Sequence, residues 1–134
     1  MTDGGTTLRG SDRDRVLVVD DDPEVAALVG EYLEHAGLTV RAETGVHDAL
    51  ERLTDRDERF DCIVSDYEMP AMNGVEFYET VRETGADLPL VLFTVRDAER
   101  VADGSGVVTD YVRKDASPGL FEELADRVTR ATSG

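Results

Sequence analysis

The 134-residue sequence has few of the residues that several kinds of site require. Its single cysteine, Cys62, excludes an intramolecular disulfide, and tryptophan is absent. His35 and His47 are the only histidines, and no spacing among these three residues suits a structural zinc site. No apolar run approaches the ~20 residues of a membrane helix, and residues 1–14 lack the apolar segment of a signal peptide. We therefore expect a soluble, cytoplasmic protein that uses neither zinc nor disulfide chemistry.

Positive charge is also scarce. The chain has 14 basic and 30 acidic residues, and its net charge of −16 disfavours direct binding to the nucleic-acid phosphate backbone. Thirteen of the bases are arginines, and Lys114 is the only lysine. This bias resembles that of proteins from salt-accumulating halophiles, in which molar salt shortens the Debye length to ~3 Å and screens self-repulsion. We expect stability to rise with salt; the alternative is an acidic domain without salt adaptation.

The length suits one domain, and the apolar residues recur in a regular pattern. Residues 1–14 contain almost no apolar side chains, which predicts a disordered tail before a domain over residues 15–131. Five apolar blocks predict strands. They cover residues Arg15 to Val19, Leu38 to Ala42, Phe60 to Ser65, Pro89 to Thr94 and Thr109 to Arg113.

Helical periods separate these blocks, and the segment from Asp97 to Ala102 gives the weakest of them, with barely two turns. A closing helix follows the fifth strand. Residues 16–19 and 90–93 are apolar on both faces, as a parallel sheet covered by helices on both sides requires. The predicted class is α/β, with a doubly wound five-stranded parallel sheet.

Ligands of such sheets bind beyond the carboxyl ends of the strands, where this sequence places a group of polar side chains. Asp20, Asp21 and Asp22 follow the first strand. Asp22 directly precedes Pro23, and this pair predicts that Asp22 is the N-cap of a helix. Adjacent carboxylates repel each other unless a cation lies between them, so Asp20 and Asp21 are predicted ligands of Mg²⁺. The alternative is a solvated acidic turn.

Asp66, Thr94 and Lys114 end the third, fourth and fifth strands. A carboxylate beside Mg²⁺ can attack phosphorus to give an acyl phosphate, and Thr94 and Lys114 could then bind the phosphoryl oxygens. Taken singly, Asp66 is more typical of a turn aspartate, Thr94 of an ordinary strand residue and Lys114 of a solvated surface charge.

The segments Val-Leu-Val-Val-Asp20-Asp21, Ile-Val-Ser-Asp66-Tyr-Glu-Met-Pro, Leu-Phe-Thr94 and Tyr111-Val-Arg-Lys114 together resemble the receiver domain of two-component response regulators. The sequences of these segments are similar to those of haloarchaeal receivers. The resemblance implies the flavodoxin-like strand order 2-1-3-4-5, with Asp66 as phosphoacceptor. It implies Mg²⁺ held by Asp20, Asp21, Asp66 and the main-chain carbonyl of Glu68, and Tyr111 as an aromatic that switches together with Thr94.

The same resemblance implies partners. A sensor histidine kinase or phosphotransfer protein would supply the phosphoryl group, and a downstream protein or fused output domain would read the face formed by the fourth helix, fifth strand and last helix. A homodimer is compatible with this face. The domain would stand alone or form part of a longer chain, and its only chemistry would be its own phosphorylation and dephosphorylation.

Several residues depart from the family pattern or modulate it. Val95 stands where receivers usually have a small residue, so we expect it to crowd access to the phosphoryl group. Asp115 replaces the usual proline after Lys114 and leaves the isomer of that peptide open. Glu68 and Arg96 are predicted to pair across the mouth of the site.

Three other functions compete with this interpretation. A phosphorylation-independent receiver-like adaptor is favoured by Val95, Asp115 and the short fourth helix. A haloacid-dehalogenase-type phosphatase would need an Asp-x-Asp-x-Thr motif, whereas Asp20 is followed by Asp21, Asp22 and Pro23. A flavodoxin-like FMN carrier would need a Ser/Thr/Gly phosphate loop after the first strand, which this sequence lacks.

Overall fold

The computed structural model describes residues 14–55, 57–95, 110–115 and 118–133. Strands and helices alternate through these residues, as the periodicity predicts. The elements are β1 (Arg15–Val19), α1 (Pro23–His35), β2 (Thr39–Glu43), α2 (Val46–Leu53), β3 (Cys62–Ser65), α3 (Gly74–Glu83), β4 (Leu90–Thr94), β5 (Asp110–Arg113) and α4 (Leu120–Ser133). The predicted short helix at 97–102, and the predicted tail except for Asp14, lie outside the described residues.

The five strands form one parallel sheet in the order β2-β1-β3-β4-β5, which confirms the predicted order 2-1-3-4-5. The winding direction reverses between β1 and β3, so the ligand crevice of this fold lies where these two strands end. The predicted limits of β1 agree with the structure, whereas β2, β3 and β4 each begin one or two residues later than predicted. Edge strand β2 is the least buried, because solvent reaches its outer side.

Alternating side chains of the sheet enter two separate cores. Val16 and Val18 pack with α1 and α4, whereas Leu17 and Val19 pack with α2 and α3. Burial on both faces explains why β1 is a continuous apolar run. Cys62 belongs to the first core, and burial raises the pKa of its thiol to about 12.

Local capping sets where the helices beside the crevice begin. The Asp22 carboxylate accepts hydrogen bonds from the amides of Glu24 and Val25, at 3.0 and 3.4 Å, which confirms its role as the N-cap of α1. At α3, Asn73 and Glu76 form a reciprocal capping box. Both caps hold loops that leave the carboxyl ends of β1 and β3.

The two histidines lie on exposed helical positions, and His47 Nε2 is 3.5 Å from Glu51 Oε2. Among the described residues, no helix has the length and apolarity that crossing a membrane requires.

Candidate functional site

Four strands bring the predicted site residues to one edge of the sheet. Asp20 follows β1, Asp66 follows β3, Thr94 ends β4 and Lys114 follows β5. Two main-chain hydrogen bonds extend the sheet to this edge: Asp66 N donates to Val19 O at 3.0 Å, and Lys114 N donates to Thr94 O at 2.7 Å. The strand ends are thereby held in register around the crevice.

Three carboxylates meet in this crevice. Asp20, Asp21 and Asp66 each offer one oxygen, and these oxygens all lie within 4.8 Å of one another. Asp20 is buried, Asp66 is half-buried and Asp21 is exposed, so one side of the cluster remains open to water. A hard cation that takes carboxylate oxygens and keeps several waters fits this donor set, and Mg²⁺ is such a cation.

Lys114 reaches into the same cluster. Its Nζ is 2.7 Å from Asp20 Oδ2 and 3.5 Å from Asp66 Oδ2. It also lies 5.3 Å from the centroid of the Phe93 ring, within cation–π range. The lysine is therefore held by two carboxylates and an aromatic ring, a set of contacts that the sequence analysis did not predict.

The electrostatics of Asp20 reflect opposing influences. Burial raises the pKa of the Asp20 carboxyl above its ordinary value, against the lowering effects of the Lys114 hydrogen bond and of the Asp22 amide. That amide donates to Asp20 Oδ1 at 2.9 Å. The effect of desolvation on this pKa is larger than that of the two hydrogen bonds. A further cation would therefore stabilise the ionised form of the buried Asp20 carboxylate.

Asp66 is oriented by the peptide that follows it. The Tyr67 amide donates to Asp66 Oδ1 at 2.7 Å, and Oδ2 is the oxygen 3.5 Å from Lys114. The carboxylate is therefore fixed at one oxygen by the main chain and faces the ammonium group with the other.

Thr94 and Tyr111 lie on the sheet face that α2 and α3 cover. Thr94 is fully buried, and Tyr111 is half-buried against the core on that face. Tyr111 is the register partner of Leu92, two residues before Thr94. Both residues thus lie on the same face, one strand apart.

Val95, Glu68 and Arg96 are the residues predicted to lie at the mouth of the site. Val95, directly after Thr94, is 59% exposed. Glu68 is exposed, whereas Arg96 lies outside the described residues, and their predicted pairing stays a prediction. No peptide bond among the described residues is cis, so the Lys114–Asp115 bond is trans.

Two neighbours of Asp66 have contacts that the sequence analysis missed. Ser65 Oγ donates to the Asp66 carbonyl at 2.8 Å, and Gly74 lies against the same carbonyl. A signal for Ser65 was present, because strand alternation places it beside Ile63 on a buried face where a hydroxyl needs a partner. No comparable pattern distinguishes Gly74 from an ordinary loop glycine.

A comparison of the sequence with protein families identifies a family in keeping with this arrangement of an acidic cluster, a hydroxyl and a lysine. Residues 16–126 match the family described as "Response regulator receiver domain". The chain belongs to this family. The receiver interpretation is thereby favoured over the phosphatase and FMN-carrier alternatives.

Individual relatives support the same assignment. The chain is 40% identical over 117 residues to the response regulator MprA of Mycobacterium ulcerans. The matched region covers 85% of this chain and 48% of that relative. The chain thus spans about half the length of the curated relatives it matches. The mycobacterial relatives named MprA give no support to the haloarchaeal resemblance.

Solved receiver structures have the same fold. The response regulator TrrA of Thermotoga maritima, in complex with Mg²⁺-BeF, superimposes with a TM-score of 0.76 at 28% identity, covering 88% of this chain and 98% of that one. The chemotaxis protein CheY4 of Vibrio cholerae gives a TM-score of 0.78 at 27% identity, covering 89% and 98%.

Proposed function

We propose that this receiver domain accepts a phosphoryl group on Asp66 from the phosphohistidine of a sensor kinase or phosphotransfer protein. The observation that carries the proposal is the convergence of Asp20, Asp21 and Asp66 within 4.8 Å, with Lys114 contacting two of them. An Asp66 carboxylate oxygen would attack phosphorus as the phosphorus–nitrogen bond to the histidine breaks. The products would be an acyl phosphate on Asp66 and a free imidazole on the donor.

Each protein group has a role that its position supports. Asp20, Asp21, Asp66 and the carbonyl of Glu68 would hold Mg²⁺, which supplies positive charge against the carboxylates and the phosphoryl oxygens. The Tyr67 amide, bonded to Asp66 Oδ1 at 2.7 Å, restricts rotation of the carboxylate. Lys114 Nζ lies 3.5 Å from Asp66 Oδ2 and would form an ion pair with a phosphoryl oxygen once Asp66 is phosphorylated.

The signal would leave the site through Thr94 and Tyr111. The Thr94 hydroxyl would bind a phosphoryl oxygen, and Tyr111, on the same sheet face, would change rotamer as Thr94 moves. We propose that a downstream protein, a fused output domain or a second copy reads this change at a face formed by β5, α4 and the short helix predicted at residues 97–102. Such a phosphorelay operates in the cytoplasm.

The test is phosphorylation of the wild-type domain by acetyl phosphate at high salt, followed by intact mass spectrometry. With Mg²⁺ we expect a gain of one phosphoryl group, mapped to Asp66 by peptide analysis; with EDTA in place of Mg²⁺ we expect none. Beryllofluoride should shift the amide signals around Asp66 under the same conditions. A domain that gains no mass from acetyl phosphate or a phosphohistidine donor would contradict the proposal and favour the phosphorylation-independent adaptor.

Val95 should restrict access to the proposed phosphoryl site. We expect Val95→Ala to raise the rates of acetyl-phosphate loading and of acyl-phosphate hydrolysis by roughly threefold, equivalent to about 0.7 kcal/mol in the barrier. The reason is the branched, 59% exposed side chain beside Thr94. Time-resolved intact mass measures both rates.

A matched control for this variant is Leu28→Ala, which shortens another large apolar side chain, 41% exposed, on α1. It should leave both rates unchanged. Equal rates in Val95→Ala and the wild type would show that Val95 does not restrict access.

We also propose that the domain is adapted to high salt. Its net charge of −16 and its single lysine support this, since added salt screens repulsion among surface carboxylates. We expect the melting temperature to rise between ~0.1 and ~3 M KCl, the range over which the Debye length falls from ~10 Å to below ~3 Å. Thermal unfolding followed by circular dichroism measures this, and an unchanged melting temperature would exclude salt adaptation.

A further inference from the structure

The carbonyl oxygen of Asp66 is contacted by a buried hydroxyl. Ser65 ends β3, is fully buried, and donates its Oγ hydrogen to Asp66 O at 2.8 Å. The other residues of β3 are Cys62, Ile63 and Val64, so Ser65 is the one hydroxyl in the strand. A buried hydroxyl costs free energy unless it is hydrogen-bonded, and this bond satisfies it.

Gly74 approaches the same oxygen from the start of α3. A Cβ at this position would lie 2.5 Å from Asp66 O, 3.2 Å from Tyr67 Cα and 2.8 Å from a methyl group of Leu92. The Gly74 amide also donates to Tyr67 O at 2.7 Å. Glycine is therefore needed here for the close approach of two backbone segments.

The contacted carbonyl and the amide that orients the phosphoacceptor belong to one peptide unit. Asp66 C=O and Tyr67 N–H share a rigid plane, so fixing the oxygen fixes the direction of the N–H. That N–H donates to Asp66 Oδ1 at 2.7 Å. Holding the carbonyl in place therefore restricts the carboxylate itself.

Resting on the proposed function, we propose that Ser65 and Gly74 clamp the Asp66–Tyr67 peptide and thereby position the phosphoacceptor carboxylate. Both are positioning residues: they contact the main chain, and their effect reaches the reacting oxygen through the Tyr67 amide. The clamp needs a hydroxyl directly before Asp66 together with a glycine at the first position of α3.

The first test is Ser65→Ala, which removes one buried atom and adds no volume. The carbonyl carbon of Asp66, observed through the Tyr67 amide in a triple-resonance NMR experiment, should shift upfield because it loses a hydrogen bond. Phosphorylation by acetyl phosphate should slow by about threefold to tenfold, the factor that an ordinary hydrogen bond supplies. Mg²⁺ affinity, measured by titration without a phosphodonor, should fall as the carboxylate gains freedom.

Gly74→Ala should have a larger effect, because its Cβ must displace the Asp66 peptide. We expect phosphorylation to slow by about 100-fold, as a misplacement near 1 Å can produce. Leu92→Ala added to this variant removes the 2.8 Å contact and leaves the 2.5 Å contact with Asp66 O. Rates should therefore remain low in the double variant, and recovery would indicate core packing and would overturn the clamp for Gly74.

Two controls separate positioning from general stability. Gly45→Ala changes the N-cap of α2, where a Cβ would have no neighbour closer than 4.0 Å. Thr84→Ala removes a hydroxyl that donates to Val81 O, at 2.6 Å, at the far end of α3. Both should leave the Asp66 carbonyl shift, the Mg²⁺ affinity and the phosphorylation rate unchanged, whatever they do to the melting temperature.

The outcomes distinguish the clamp from the function on which it rests. A wild-type domain that no donor phosphorylates would contradict the proposed function, while the carbonyl shift in Ser65→Ala would still test the clamp. A phosphorylated wild type with Ser65→Ala matching it in rate, Mg²⁺ affinity and carbonyl shift would overturn the clamp alone. Ser65→Ala that lowers only the melting temperature would also overturn it.

Discussion

Asp66→Asn is expected to abolish incorporation of the phosphoryl group. The amide replaces the nucleophilic carboxylate, yet its oxygen can still accept the Tyr67 hydrogen bond that spans 2.7 Å in the wild type, so the local fold should survive. Mg²⁺ affinity should fall by about tenfold, since the cluster loses one of its three carboxylates. Intact mass with acetyl phosphate and a Mg²⁺ titration measure the two effects.

Asp61→Asn is the matched control. It makes the same chemical change and the same change in net charge five residues earlier, at an exposed residue whose Oδ2 accepts from the Arg15 amide at 2.9 Å. This variant should be phosphorylated like the wild type. A phosphoryl group that persists in Asp66→Asn would place the acceptor elsewhere and contradict the assignment of Asp66.

The fold was predictable because burial on both faces of a parallel sheet imposes a continuous apolar pattern. Val16 to Val19 and Leu90 to Phe93 identify central strands, and the structure places both among the buried inner strands. Edge strand β2 was predicted one residue early, since Leu38 is buried just before Thr39 begins the strand. Apolar content alone does not separate a strand from the buried turn that leads into it.

The composition of the site was also predictable, because parallel strands must bring their carboxyl ends to one edge. The contacts within it were not. Nothing in the spacing of Asp20 and Lys114, 94 residues apart, predicts a 2.7 Å ion pair. Gly74 was missed because its need for glycine comes from packing against Asp66 O, which depends on how α3 docks on the sheet.

The role of Lys114 leads to a second large effect. Its ammonium lies 2.7 Å from Asp20 Oδ2 and 3.5 Å from Asp66 Oδ2, which belong to two of the three carboxylates proposed to bind Mg²⁺. Bound Mg²⁺ must therefore share these carboxylates with a resident cation. Lys114→Met keeps a long, flexible side chain over Phe93 and removes that cation, so we expect Mg²⁺ affinity to rise by about tenfold or more.

The same substitution should slow phosphorylation by roughly tenfold to a hundredfold even at saturating Mg²⁺, because a charged donor to the phosphoryl oxygens is lost. Affinity and rate thus move in opposite directions, which a simple loss of folded protein would not produce. Without Mg²⁺ the variant should also be destabilised, since the buried Asp20 carboxylate loses its partner. Added Mg²⁺ should then raise its melting temperature more than that of the wild type, because ligand binding stabilises the folded state.

Arg127→Met provides the control for net charge. It removes one positive charge from the half-exposed Asp110–Arg127 ion pair between β5 and α4, at 2.6 Å, away from the acidic cluster. Mg²⁺ affinity and phosphorylation rate should stay at wild-type values in this variant. If Lys114→Met bound Mg²⁺ no more tightly than Arg127→Met, the ammonium and the metal would not compete for Asp20 and Asp66. The 2.7 Å contact would then be a structural ion pair that persists beside the bound metal.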